Sequence, residues 1–137
     1  MSFILIDENF SVSPQIDVAD VQQAAAEGYK LIINNRPDNE VARQPLNAEL
    51  EQIAQELGLA YKSIPITPPD FLPHEIEAMA ETLRTAPGRV LAFCRSGTRS
   101  TLLWALARRT MGDSAETLDA KALAAGYDLT SIHGRLA

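Results

Sequence analysis

Apolar and polar positions along this chain fall into two alternating kinds of block. Short apolar runs recur between longer stretches whose apolar residues return every three or four positions. NFSVSPQI (9–16) sets Phe10 and Val12 between polar neighbours, the period of an extended strand. YKLIINN (29–35), AYKSIPI (60–66) and RVLAFC (89–94) predict further strands, the first of them stopped by the turn residues of RPDNE. Helices are predicted between them. VADVQQAAAEG (18–28) places Val18, Val21, Ala24 and Ala25 on one face, with Asp17 as N-cap and Gly28 as the stop. NAELEQIAQELG (47–58) has Asn47 as its cap, a stripe of Leu50, Ile53, Ala54 and Leu57, and Gly58 as terminator. PHEIEAMAETLRTAPG (73–88) and STLLWALARRTMG (100–112) follow the same rule, and the tail from Asp113 predicts one or two short helices. TPPDF, between a strand and a helix, reads as a loop, and the apolar patch in MSFILIDENF is left without an element.

Strands alternating with helices predict an α/β fold with a mostly parallel central sheet flanked by helices. Ligands of such sheets sit beyond the carboxyl ends of the strands, where loops feed helix N-termini. No repeat, low-complexity stretch or long linker divides the chain, so residues 1–137 are read as a single domain.

Composition narrows the function classes. The 12 Lys and Arg against 18 Asp and Glu leave a net charge of −6, which argues against nucleic acid as the partner. No apolar run approaches the length of a membrane span, and the start lacks the pattern of a secretory signal, so no membrane role is expected. A single cysteine excludes an intrachain disulfide and a cysteine-based zinc site, which makes a cytoplasmic location the expectation. His74 and His133 have no metal-ligand spacing and read as surface or capping residues, so neither metal nor cofactor is implied. Against the acidic background, Arg95, Arg99, Arg108 and Arg109 stand close together in sequence.

The candidate chemistry lies among them. Cys94-Arg95-Ser96-Gly97-Thr98-Arg99, followed by Ser100, joins a strand to a helix. Such a loop can aim successive backbone N–H groups at one point, where the helix dipole adds positive character. Gly97 allows the close approach or positive φ that the cradle needs. Those donors and Arg99 would favour a thiolate at Cys94, and Arg99 can grip an oxyanion through two parallel hydrogen bonds. A lone cysteine ending an apolar strand is by itself more often a core residue. The small, polar, arginine-flanked turn after it serves no core purpose and points to a reactive thiol. Trp104, with Leu103, Leu106 and Ala107 near it, is read as core.

C-x-x-G-x-R-S after a strand resembles the anion loops of two groups, the tyrosine/dual-specificity phosphatases and the rhodanese sulfurtransferases. Together with INNRPDNE (33–40), over approximately residues 10–110, the chain most resembles the phosphatase-like domain of the beta-lactamase hydrolase-like proteins. The resemblance implies a protein tyrosine/dual-specificity phosphatase-like fold. It also implies a role in sulfide metabolism beside a separate persulfide dioxygenase, with this chain as the stand-alone domain. Carried over residue by residue, it makes Cys94 the nucleophile and Arg99 the oxyanion clamp. Ser96, Gly97 and Thr98 become loop donors, and Ser100 takes the place of the hydroxyl residue after the phosphatase arginine. Phe93 departs from the usual histidine, and four residues separate Cys94 from Arg99 where most cysteine phosphatases have five.

The shorter loop tips the expectation towards sulfur. A phosphoryl cradle must encircle three equatorial oxygens, whereas rhodanese loops resemble this one in length and in having arginine next, as at Arg95. In the expected reaction Cys94 takes sulfane sulfur from a small anionic donor and passes it to an external thiol acceptor. The alternative is a phosphatase acting on a phosphoester through a phosphocysteine, with Asp70 as general acid and Asp38 as second candidate. Both aspartates also suit ordinary turn roles. Arg36 is expected to line the anion pocket or to pair with Asp38 or Glu40. A third class, a binding module for anions or phosphoproteins that no longer turns over, remains open.

Overall fold

The computed structural model describes residues 3–68 and 70–137, so Pro69 within the TPPDF loop lies outside the described residues. Five strands form one sheet: β1 (Ile4–Asp7), β2 (Phe10–Ser13), β3 (Leu31–Asn34), β4 (Ala60–Ser63) and β5 (Val90–Phe93). Their order is β1-β2-β5-β3-β4, parallel throughout except for β1, which pairs antiparallel with β2 across a tight turn at Glu8 and Asn9. The sheet is therefore mixed but mostly parallel. β1 is the strand that the sequence pattern leaves unassigned. Its Leu5 is 59% exposed between Ile4 and the buried Ile6, so an apolar residue stands where an alternating strand would carry a polar one.

Pleating divides the inner strands between two cores. Ile32 of β3 and Leu91 and Phe93 of β5 pack with Val21, Ala24, Leu50 and Ala54 of helices α1 (Val18–Ala26) and α2 (Asn47–Glu56). Leu31, Ile33, Val90 and Ala92 face the other way. They pack with Met79 of α3 (Pro73–Arg84), Leu103 of α4 (Thr98–Thr110), Leu118 of α5 (Ala115–Ala124) and Leu136 of α6 (His133–Leu136). Trp104 is buried here and stacks on Phe10 at 5.9 Å between ring centroids. Runs covered on both faces need no polar alternation, which is why β3 and β5 read as unbroken apolar segments.

Three helix boundaries differ from the pattern, each for a local reason. α1 starts as expected: Asp17 accepts from the Asp20 N–H at 2.9 Å, and the Asp20 carboxylate answers at the Asp17 N–H at 3.0 Å. α2, however, is capped at Leu46 rather than at Asn47. The Asn47 N–H donates to Asp38, and its side-chain oxygen accepts from Asn34 and Tyr61 instead. α3 stops at Arg84, before Pro87, whose ring disfavours helix in the residue ahead of it. α4 begins at Thr98, two residues earlier than read, so the end of the cysteine loop is already helix.

The parallel register aligns the carboxyl ends of four strands. Ser13 and Asn34 both lie opposite Phe93, and Asn34 lies opposite Ser63. The loops leaving those ends carry Gln15, residues 35–40, Ile66 and Cys94, which therefore meet at one edge of the sheet. At the other edge a cavity of about 580 Å³ opens among Phe10, Val90, Trp104, Arg108, Asp113 and Lys121. Its cations are engaged in ion pairs, Arg108 with Asp113 and Lys121 with Asp7.

Candidate active site

Cys94 follows β5 directly and is fully buried, its N–H reaching the Ser13 carbonyl at 3.4 Å. Its Sγ accepts the Gly97 N–H at 3.1 Å. Gly97 holds φ at +90°, a left-handed conformation that turns the chain from loop into helix within one residue. The first turn of α4 follows at once, and the N–H groups of Thr98, Arg99 and Ser100 have no carbonyl a turn behind them to bond. The Thr98 N–H reaches only the Ser96 hydroxyl, at 3.4 Å. The first turn of α4 thus places helix N-terminal amide donors directly after the loop that Cys94 opens.

Arg99 lies on that first turn and is held from behind. Its Nη1 donates to Glu40 Oε2 at 2.8 Å and to the Ile66 carbonyl at 2.9 Å, and Nη2 donates to Glu40 Oε1 at 2.8 Å. Of the five guanidinium hydrogens, those on Nε and the second on Nη2 engage no oxygen among the described residues, and they share one edge. Two parallel donors on one edge have the geometry of a bidentate grip on an oxyanion. Hydrogen bonds to Glu40 raise the pKa of Arg99 above its ordinary value; burial opposes them, and the neighbouring Cys94 sulfur adds to the rise.

Glu40 joins two arginines. Its Oε1 also accepts from Arg36 Nε at 2.8 Å, and Arg36 Nη1 continues to Gln15 Oε1 at 3.0 Å. The Glu40 carboxyl is pushed down to about 2, first by the Arg99 hydrogen bonds, against burial, with the Arg36 hydrogen bond and both positive charges assisting. Arg36, whose side chain is 3% exposed, therefore stands behind Glu40 and has its Nη2 buried without a partner among the described residues. Of its two expected roles, the ion pair with Glu40 is the one these contacts display.

The remaining expected residues divide between site and surroundings. Ser100 is buried beside the loop, and its Oγ has no partner among the described residues. Ser96 and Thr98 are exposed and bonded to each other, and Arg95 is exposed, with its carbonyl accepting from the Gln15 N–H. Asp38 is tied to the start of α2. Asp70 is exposed on the loop that passes Arg99 at Ile66. Arg108 and Arg109 do not belong to this site: α4 carries them about 14 Å along its axis from Arg99, to Asp113 and to the Leu136 carbonyl. The arginine cluster of the sequence is thus split between the two ends of one helix.

Two contributors escape the sequence pattern. Glu40 is legible as a partner for nearby Arg36, but nothing local ties it to Arg99, 59 positions on. Tyr127, in the tail, reaches the Ser96 carbonyl at 3.2 Å. Neither contact leaves a periodic or spacing signal.

Residues 2–111 match the family of the beta-lactamase hydrolase-like protein, phosphatase-like domain. The chain belongs to that family. Beta-lactamase hydrolase-like proteins of Xylella fastidiosa and Agrobacterium fabrum are 34% identical over 130 residues and 35% over 106. Those stretches cover 94% and 77% of this chain but 30% and 25% of theirs, so the chain spans less than a third of the curated relatives it matches. The phosphatase-like domain superposes on a crystal structure of a candidate phosphatase from Neisseria meningitidis with a TM-score of 0.86. The two are 36% identical over 99% of this chain and 96% of that one. A kinase-associated phosphatase whose catalytic-site cysteine is replaced by serine aligns with a TM-score of 0.72 at 16% identity, over 95% of this chain and 84% of that one, a likeness of fold.

The chain is accordingly a phosphatase-like cysteine protein of the tyrosine/dual-specificity fold. The expectation of sulfur transfer drawn from loop length finds no support in these relationships, which favour the phosphoryl alternative. The physical reason is that loop length counts only the residues between Cys94 and Arg99, whereas helical backbone already begins within that span, at Thr98, and helix N-terminal amide donors are left out of the count. No helix among the described residues is long and apolar enough to cross a membrane.

Proposed function

We propose that this chain is a cysteine-dependent phosphatase acting on phosphoesters through a Cys94 phosphocysteine. The observation that carries the reading is the Nε–Nη2 edge of Arg99, which engages no oxygen among the described residues and lies by the Cys94 sulfur. Glu40 and the Ile66 carbonyl fix the guanidinium so that two parallel donors remain beside the Cys94 sulfur. A tetrahedral phosphoryl group above Sγ would take those donors on one pair of oxygens and the amides of the first turn of α4 on the rest. The Cys94 thiolate attacks phosphorus, and the bond to the leaving oxygen breaks. Asp70 gives that oxygen its proton. Water then attacks the phosphorus, losing a proton to the Asp70 carboxylate, and the P–S bond breaks to release inorganic phosphate and the thiolate. The exposure of Asp70 suits an acid on a loop that closes over substrate.

The test is p-nitrophenyl phosphate hydrolysis by the wild-type chain, Cys94→Ser and Asp70→Asn, with thiosulfate and an acceptor thiol offered in parallel. The expected result is hydrolysis lost in Cys94→Ser and cut roughly 10²-fold or more in Asp70→Asn. Absence of hydrolysis together with a sulfur that Cys94 accepts and hands to the thiol would overturn the phosphatase reading in favour of sulfur transfer.

A further inference from the structure

One peptide plane in the cysteine loop is held from both sides. Its N–H, that of Gly97, donates to Cys94 Sγ at 3.1 Å, and its carbonyl, that of Ser96, accepts from Tyr127 Oη at 3.2 Å. In a trans peptide the N–H and C=O point in opposite directions, so whatever holds the carbonyl outward holds the amide inward. The plane needs such a hold. Gly97 sits at φ +90° with no side chain to resist rotation, and a coupled turn of ψ at Ser96 and φ at Gly97 would swing the amide away from the sulfur.

Tyr127 is itself anchored. It follows the end of α5, its N–H donates to the Ala122 carbonyl at 2.9 Å, and its ring packs against the core beneath α4 and α5. A Cβ on Gly97 would collide with the phenol oxygen, so glycine is also what lets the tyrosine approach. Burial first, and the nearby Cys94 second, push the phenol above its ordinary pKa, which keeps the hydroxyl in its donor form. Among the described residues, Arg99 and Tyr127 are titratable groups that interact electrostatically with Cys94, with Glu40 behind the former. Tyr127 also lies beyond residues 2–111, the stretch that carries the family match.

We propose that Tyr127 is a positioning residue for Cys94: its hydroxyl locks the Ser96–Gly97 peptide in the orientation that aims the Gly97 amide at the sulfur. The C-terminal segment is thereby coupled to the nucleophile. The proposal rests on the reading of Cys94 as nucleophile but not on the element it attacks.

Cys94 is the sole cysteine, so iodoacetamide labelling followed by intact mass reports on this sulfur alone, with no substrate involved. The rate is measured against pH for the wild-type chain, Tyr127→Phe and Ile132→Ala. Tyr127→Phe removes only the hydroxyl and is expected to move the midpoint of the profile upward by about one pH unit, the tenfold change of one weakened hydrogen bond to a thiolate. Ile132→Ala loosens the same buried segment while leaving the hydroxyl, and is expected to leave the midpoint in place. An unchanged midpoint in Tyr127→Phe overturns the proposal, as does an equal rise in Ile132→Ala. A Tyr127→Phe chain that does not fold overturns it too, because the hydroxyl would then be holding the fold. Failure of the phosphatase reading would appear separately, as wild-type protein that hydrolyses no aryl phosphate, and would leave the labelling result standing.

Discussion

Replacing Glu40 by glutamine tests the hold on Arg99. Three charge-assisted hydrogen bonds end on this carboxylate, two from Arg99 and one from Arg36. Glutamine accepts at one oxygen only and turns an NH2 towards guanidinium groups that can only donate. Arg99 can redirect part of its charge to solvent, but Arg36, 3% exposed, cannot. Removing one partner of a buried pair costs about 3–5 kcal/mol. Because 24% of the Glu40 side chain already meets water, roughly 2–3 kcal/mol is expected here, equivalent to about 7–10 °C in melting temperature. The pH dependence sets this apart from simple packing damage. A carboxyl lowered from 4.5 to about 2 contributes fully above pH 4.5, and its contribution fades as pH falls towards 2. Urea unfolding of both chains should show a constant gap from pH 7 to about 5, reduced to about half or less by pH 3. A gap below about 0.5 kcal/mol at pH 7, or one that persists unchanged at pH 3, would refute the reasoning. Aryl phosphate turnover should fall at least tenfold in the same variant, since Arg99 loses its fixed orientation.

Two further outcomes follow from the same geometry. Arg99→Lys places one ammonium where a fork serves Glu40, the Ile66 carbonyl and an anion together, and steady-state kinetics should show kcat/KM reduced roughly 10²–10³-fold. Asp38→Ala removes the acceptor for the first amide of α2; denaturant melts should show a loss of about 1 kcal/mol, while the acid limb of the pH–rate profile stays where it is.

The fold class was legible because burial writes itself into the sequence. β3 and β5 are covered on both faces, so LIIN and VLAF are continuous apolar runs, and α1 announces both ends with Asp17 and a left-handed Gly28. β1 was not legible, since its exposed Leu5 is apolar and breaks the alternation that would mark a half-buried strand. The early start of α4 was hidden as well. Cys94 to Ser100 reads as loop chemistry whether or not the last of those residues have helical dihedrals, yet that difference decides whether helix N-terminal amide donors lie within the loop.

What the sequence alone determined is the candidate loop, because its parts are neighbours in the chain: Cys94, Gly97, Arg99 and Ser100 span a single turn from strand into helix. What only the tertiary structure decided is how that loop is held. The parallel register brings the carboxyl ends of β2, β3, β4 and β5 level, so that Glu40 and Ile66 meet Arg99 from two separate loops, with Arg36 and Gln15 bonded in line behind Glu40. Tyr127 arrives from the tail to meet Ser96. Contacts of this kind depend on distances in space between positions far apart in sequence, and a one-dimensional pattern records only spacing along the chain.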